Sequence, residues 1–515
     1  MGRVYNSLKN VKVNLMGQIV NMAFKFVCRT VFIYVLGQEF LGISSLYTNI
    51  LTLLSVSELG FSSAIMFSLY RPLAENDTDK INSIMRFYKN AYRIIGVIIL
   101  GTGLCIIPFL PVLMNGTTDQ VNIYFYYMLY LAQTVVSYFF FAYKQTLLLA
   151  DQKKYKVDFI TYGVQVAMSL LQMVALLIWG SFLVFTVLSI VANIVTNLLI
   201  ALAVDKQYPF LKNNASKLPK DDTKTIFTQV KAMFLYKICN MVGVATDNLI
   251  ISSHISVLLV GLYSNYLLII SVLQSVLSSV LQAFVGSLGN LYVLESDKKN
   301  EQVFRCLNLV NLWFIIFASV SCLVLFQPFI TLWIGEEYLF ENIVVFIIVM
   351  NFATNYMQAV IQIYKDTTGL FVRGKYRPLA TVILNLGLSL ILVRCMGIAG
   401  VFLGSIISRM CTTWAYDGWL IHRHAFHTSP KRFYLDSMAS AGLIVVLTAA
   451  IQGICYLISV PDNWGGFVIR AVLCIVVSNV VLMLVYRKRE EYAIVADKLR
   501  EIIHKKLKRK GARLS

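Results

Sequence analysis

Acidic residues are scarce in this chain. Only 26 Asp and Glu stand against 45 Lys and Arg, and charged residues of all kinds make up 14% of its 515 positions. A soluble protein of this length needs more polar surface to cover its core. Proline is also rare, at 9 residues, so long helices can run without interruption. The period-two alternation that the strands of a membrane barrel require is missing. Cysteine occurs 9 times but never as a CxxC pair, so the thiols read as small packing residues rather than as metal ligands or a disulfide framework. The 5 histidines do not cluster as a metal set. Three of them, His422, His424 and His427, share one short segment and are expected to be solvated or to face lipid. No GxxxxGK(S/T), HExxH or GxSxG occurs. That excludes a built-in P-loop ATPase, a zincin and a nucleophile-elbow hydrolase.

What is present is hydrophobic length. The chain is 58% hydrophobic with a mean hydropathy of +0.70. Apolar runs of about 20 residues, enough to cross a hydrocarbon core roughly 30 Å thick, recur from end to end. The expected fold is an all-α polytopic membrane protein of about fourteen transmembrane helices, at 13–36, 42–69, 91–114, 121–142, 157–180, 182–204, 233–255, 257–285, 304–333, 343–365, 379–396, 399–421, 435–459 and 464–486. The basic start "MGRVYNSLKNVK" lacks a cleavage site after it, so the first span is expected to be retained.

The net charge of +19 is a topology signal. Of the 45 Lys and Arg, 40 fall in alternate connecting segments that include both termini. The intervening turns, such as "GQEFL", "NGTTDQ" and "VPDNWGG", hold none. The positive-inside rule then puts both termini in the cytoplasm, and the even span count agrees. It also removes nucleic acid as a partner and leaves anionic lipid.

Shifting the sequence by 219 positions lays Gly42 on Gly261, Ser45 on Ser264, Tyr47 on Tyr266 and Ile50 on Ile269, and lays Cys28–Arg29 over Asp247–Asn248. This suggests two six-span lobes in parallel repeat, about an axis along the membrane normal. The expected organisation is an N-terminal lobe at 1–204, a cytoplasmic linker at 205–232, a C-terminal lobe at 233–421, two extra spans at 422–486 and a basic amphipathic cytoplasmic tail at 487–515.

The five Lys and Arg outside those connecting segments are Lys25, Arg29, Arg394, Arg409 and Arg470. Arg394 and Arg470 sit near outer ends and can snorkel to the headgroups. Lys25, Arg29 and Arg409 are deeper, as are the acids Glu58 and Asp247. Facing lipid, each would cost about 2.5–3.5 kcal/mol at the bilayer centre. They must pair or line water. On span one, Asn14, Gln18, Asn21, Lys25 and Arg29 keep within a sector of roughly 80° at about 100° per residue. Span ten offers Asn351, Asn355, Gln358, Gln362 and Lys365; span eight offers Ser264, Ser271, Ser275, Ser278 and Gln282; span two offers Thr48, Thr52, Ser55 and Ser62. A salt bridge explains two residues. Stripes running the length of several spans call for a water-filled cavity, although Ser and Thr also serve as glue between helices. Glu58 can neutralise Lys25, and Asp247 can pair with Lys237 or Arg29 or bind a coupling cation. The aromatics of span four, "YFYYMLY" and "SYFFFAY", read as interfacial belts.

Three blocks carry a family resemblance. "CRTVFIYVLGQEFLGISSLYTNILTLLSVSELGFSSAIMFSLYRPLAENDTDKI" resembles the start of the Wzx-like polysaccharide transporters, the lipid-linked oligosaccharide flippases of the MOP superfamily. "YKICNMVGVATDNLIISSHISVLLVGLYSNYLLI" is similar to their seventh and eighth spans, and "YKDTTGLFVRGKYRPLATVILNLGLSLILV" with "GIAGVFLGSIIS" to their tenth to twelfth. The resemblance covers spans one to twelve and implies a transporter, not an enzyme, working by alternating access in the plasma membrane. Its implied substrate is a polyprenyl-pyrophosphate-linked oligosaccharide, moved from the inner to the outer leaflet for polysaccharide export. Membrane lipids and polysaccharide-assembly proteins are the further partners. The resemblance places Lys25 and Arg29 against the pyrophosphate, and Gln18, Asn21, Asn355 and Gln358 against sugar hydroxyls. Glu58, Asp247, Lys237 and Arg409 are left to coupling or charge pairing. No cofactor is expected beyond a coupling cation, Na+ or H+, or the membrane potential. The alternative is a cation-coupled multidrug exporter of the same superfamily, whose reliance on acidic cavity residues fits a basic first span poorly. A membrane enzyme of envelope assembly would need acids or bases outside the bilayer, and the outer turns leave little room for them.

The charge alternation makes a direct prediction. A reporter active only in the cytoplasm should be active when fused after residue 487 and silent when placed in the turn at 115–120; activity at both sites would refute the orientation.

Overall fold

The computed structural model describes residues 2–55, 61–114, 122–212, 216–294, 296–368, 370, 373–374, 376–498 and 500. Glu58 and the tail beyond 500 lie outside the described residues, and so does the side chain of Lys237. Every described element is a helix. In chain order they are α1 (Gly2–Leu54), α2 (Phe61–Glu75), α3 (Thr78–Ile106), α4 (Leu110–Leu113), α5 (Ile123–Phe139), α6 (Gln145–Ala150), α7 (Lys154–Trp179), α8 (Phe182–Gln207) and α9 (Lys220–His254). Then follow α10 (Val257–Leu294), α11 (Asp297–Ile334), α12 (Asn342–Tyr356), α13 (Ala359–Thr367), α14 (Arg377–Met396), α15 (Ile398–Arg409), α16 (Gly418–His424), α17 (Lys431–Leu457) and α18 (Trp464–Tyr486).

Eleven stretches among the described residues are long and apolar enough to cross a membrane, or twelve when the bent pair α5–α6 counts as one. The protein is a multi-pass membrane protein. The expected count was about fourteen, and the two others fall in α9, whose first half is polar, and in the stretch after a break inside α1. That break is Gly37, with φ 81° and ψ −172°. Only glycine adopts such a backbone readily. It divides α1 into the first expected span and the start of the second.

Contacts divide the chain into two compact units, Met1–Ser264 and Asn265–Ser515. The boundary falls inside α10, not in the 205–232 segment. The physical reason is tertiary. In the first unit α9 packs on α1 and α2, and the first turns of α10 lie against the stretch after Gly37. There Gly42 and Gly261 meet backbone to backbone: a Cβ on Gly261 would stand 2.9 Å from the Gly42 nitrogen and 3.0 Å from the Gln38 carbonyl oxygen. In the second unit α11 is the central helix, packed against α12, α17 and α18. Its N-terminal end carries a ring cluster in which Phe304 meets Tyr364, His422 and Phe426. His422 is 4% exposed and bonds the Gly418 carbonyl, so it is a core residue and not the solvated or lipid-facing one expected. Arg470 does not simply snorkel either; it pairs with Asp462 at 2.7 Å. The tail helix at 490–498 begins docked, with Glu491 on Arg432 at 2.7 Å and Tyr492 stacked on Trp313.

Two tyrosines give the internal repeat a structural counterpart. Tyr47 donates its hydroxyl to the Ile123 carbonyl at 2.5 Å, at the first residue of α5. Tyr266 accepts from the Phe340 N–H at 3.0 Å, just before α12 begins at Asn342. Tyr47 and Tyr266 are 219 positions apart, and so are Ile123 and Asn342. Both tyrosines are fully buried.

A methyl at Gly42 has no room against the Val257 carbonyl, and overpacking of this kind costs about 1–3 kcal/mol. Gly42→Ala should therefore lower the unfolding midpoint of the purified protein, whereas Ala at Gly387, which has open space around it, should not.

Candidate functional site

The first span supplies the densest set of polar groups in an apolar helix. Successive members Asn21, Lys25 and Arg29 are four residues apart, about 6 Å of rise each, so they stack on one face. Lys25 lies twelve residues beyond Val13, roughly 18 Å along the axis, well inside the first long apolar stretch. Its side chain is exposed within the protein and makes no hydrogen bond or ion pair with any described residue. Asn21 is 5% exposed, and its Oδ1 has no hydrogen-bond partner among the described residues. Gln18 is half-buried.

Arg29 is fixed from two sides. Its Nη2 donates to the Ser264 hydroxyl, which in turn donates to the Gly261 carbonyl at 2.6 Å. The Tyr130 phenol lies within electrostatic reach of the guanidinium and shares a 2.7 Å hydrogen bond with Ser44. Tyr127 donates to the Gly103 carbonyl at 2.9 Å, and Tyr47 packs against both Tyr127 and Tyr130. These rings hold the neighbourhood of Arg29 rigid. Tyr127 and Tyr130 are 0% and 8% exposed, so this face of α5 is core, while Tyr124 and Phe125 on the same turns stay exposed as the expected belt requires. The i, i+3 spacing of Tyr127 and Tyr130 was the signal available for burial on one face.

In the second unit Arg409 is held by hydrogen bonds. Its Nη1 reaches the Asn351 carbonyl at 3.3 Å and its Nε the Ser405 carbonyl at 3.0 Å, and Nη2 meets the Asn351 side chain. Span ten is broken between α12 and α13. At the break Gln358, 4% exposed, donates to the Thr354 carbonyl at 3.0 Å, which commits part of its amide to the scaffold. Asn355 is exposed. Asp247 is buried on α9. Asn248, which the 219 shift lays under Arg29, is buried as well.

One buried charge cluster escaped the sequence reading. Asp417, fully buried, takes Lys365 at 2.7 Å and Arg377 at 3.0 Å. Asp417 ends a π-helical stretch, Met410–Asp417, a geometry common at sites under functional constraint. Its signal was plain: an acid inside an expected span is a site by default.

No curated protein sequence matches the chain. Among solved structures, the lipid II flippase MurJ in an inward closed conformation has a TM-score of 0.63 at 17% identity, covering 94% of this chain and 99% of that one. A multidrug resistance MATE family transporter of the MOP superfamily, inward-facing, has a TM-score of 0.58 at 15% identity, covering 81% and 97%. The MATE multidrug transporter DinF-BH gives 0.60 at 16% identity, covering 81% and 96%. The fold is that of the MOP superfamily. A family model described as polysaccharide biosynthesis protein matches residues 7–285, more than half of the length. The chain, whose mid-membrane cations and repeated helical units are laid out above, belongs to that family of polysaccharide biosynthesis proteins.

Proposed function

We propose that this protein is a flippase that carries a polyprenyl-pyrophosphate-linked oligosaccharide from the inner to the outer leaflet, by alternating access and without covalent change to its cargo. The observation that carries the reading is the cation pair of the first span. Lys25 stands exposed at mid-depth, and Arg29, one turn away, is pre-oriented by Ser264. A guanidinium fork and an ammonium point charge together suit the oxygens of a diphosphate. The attraction is stronger in a partly dehydrated vestibule than in water. Two mid-depth cations also oppose the cationic drugs that a multidrug exporter carries. The polysaccharide family of the chain and the flippase among its structural relatives support a lipid-linked sugar as cargo.

The sugar repeat unit would meet amides on the same faces. Gln18 and Asn21 continue the stripe below the cations, and Asn355 with Gln358 offers a second set. The orientation read from the charge alternation, with both termini cytoplasmic in the plasma membrane, delivers the substrate from the leaflet on which lipid-linked sugars are assembled. No nucleotide-binding motif occurs, so the drive is the substrate gradient, the membrane potential, or a coupling H+ or Na+ for which Asp247 is the carboxylate.

Purified protein in vesicles should move a fluorescent polyprenyl-pyrophosphate sugar between leaflets with its mass unchanged. Arg29→Ala and Lys25→Ala should each slow this about tenfold to a hundredfold, the loss of one charged hydrogen bond worth roughly 1.5–3 kcal/mol. Arg29→Lys, which keeps the charge and loses the fork, should fall between. Both alanine variants flipping at the wild-type rate would remove the pyrophosphate role. Drug efflux without lipid movement would select the multidrug reading.

A further inference from the structure

The buried cluster at Asp417 has a counterpart in the first unit. There Lys144 lies against both oxygens of Asp205, at 2.6 and 2.7 Å, and Lys156 meets the Gln207 side chain. In the second unit Lys365 meets Asp417, and Arg377 meets both Asp417 and, at 2.8 Å, Thr413. Lys144 and Lys365 are 221 positions apart, and so are Lys156 and Arg377. Each lysine belongs to the fourth span of its repeat and each aspartate to the sixth, and all lie toward the basic, inner ends. Asp205 and Asp417 are 212 positions apart, so the two pairs do not share one register; what they share is the spans they join, the fourth and the sixth of each repeat.

The fourth span is also interrupted in both repeats, by a sharp bend in the first and by two turn residues in the second. In the first, α5 and α6 are bent by 50° at residues 140–141, where Phe141 has φ 61°. In the second, α12 ends at Tyr356 and α13 begins at Ala359. Where the hydrogen-bond ladder is interrupted, the outer half of a helix holds the inner half less firmly. Side-chain contacts then help to place the inner fragment. Lys144 stands immediately before α6, and Lys365 lies within α13.

We infer that Lys144–Asp205 and Lys365–Asp417 are a repeated strap of positioning residues: in each repeat the strap ties the inner fragment of the broken fourth span to the sixth span, so that the two move as one body. The second strap is the stronger. Lys365 and Asp417 are 1% and 0% exposed, against 11% and 27% for Lys144 and Asp205. Water can replace a partner in the first strap and cannot in the second. The inference deepens the flippase reading, since rigid inner ends are what a rocking transporter needs. One arm of its test is independent of any cargo.

That arm is hydrogen exchange on the purified full-length protein in a lipid nanodisc. Asp417→Asn should speed exchange of the 359–367 amides about tenfold while leaving 145–150 unchanged. Asp205→Asn should do the reverse, with a smaller effect, and the exchanged pair Lys144→Asp with Asp205→Lys should restore 145–150. Local opening of this kind is what amide exchange resolves; faster exchange everywhere, or nowhere, overturns the strap. The second arm is vesicle flipping of the fluorescent polyprenyl-pyrophosphate sugar. Asp417→Asn should lower maximal turnover at least fivefold with KM within twofold, because neither residue touches cargo; wild-type turnover, or a loss confined to KM, overturns it. A wild-type protein that flips nothing refutes the cargo reading and leaves the exchange arm to decide the strap. If Asp417→Asn fails to accumulate, the triple change Lys365→Met, Arg377→Met and Asp417→Leu carries the same test. It removes the cluster together and strands no charge. Loosened 359–367 supports the strap and wild-type protection there defeats it.

Discussion

Charge inside a hydrocarbon slab governs this molecule. A side chain that keeps its charge between the leaflets must find a partner, a hydrogen-bonding cradle or water, and nearly every deep polar contact here follows from that demand. Asp417 is surrounded by Lys365 and Arg377. Arg409 is wrapped by the side-chain amide and carbonyl of Asn351 on α12 and by the Ser405 carbonyl of its own helix. Arg29 leans on a hydroxyl beside a phenol. Lys25 departs from the pattern, since among the described residues nothing answers it. In a fold where solvation of charge is so widely supplied from within, the residue that looks outward is the one to associate with a visitor.

The repeat sharpens that distinction. Features that occur at equivalent places in both halves, such as Tyr47 and Tyr266, do the same work twice and belong to the scaffold. Features present in one half only cannot be explained by a shared architecture. The positions equivalent to Lys25 and Arg29 are Val244 and Asn248, neither of them charged. The cation pair is thus an asymmetry laid upon a duplicated frame. Cargo with a single anionic headgroup asks for such an asymmetry, because one lobe alone has to carry the recognition.

Much of this is legible in the residues because membranes simplify the rules. Hydropathy and charge alternation mark the spans, and a lysine within "FKFVCRT" is conspicuous wherever it falls. Other features are not legible. The Tyr127–Tyr130 edge of α5 reads as an interfacial belt, since an aromatic run at a span end satisfies either reading until the neighbouring helices are in place. His422 reads as a loop residue, but three phenylalanines from α11 and the segments around α16 and α17 enclose it. The division of the chain falls at Ser264 rather than in the polar segment after span six, because connectivity says nothing of which helix α9 will pack on. Asp417 answers to the same rule that exposes Asp247, being an acid inside span twelve.

Gly42 and Gly261 touch through their main chains, with no side chains interleaved between them. Most helix pairs are keyed together like the teeth of a zip, and parting them means withdrawing each tooth from its notch. Here the backbones themselves meet, with the Val257 side chain close beside Gly42, so the spacing of the two helices is set by atoms that no substitution can trim.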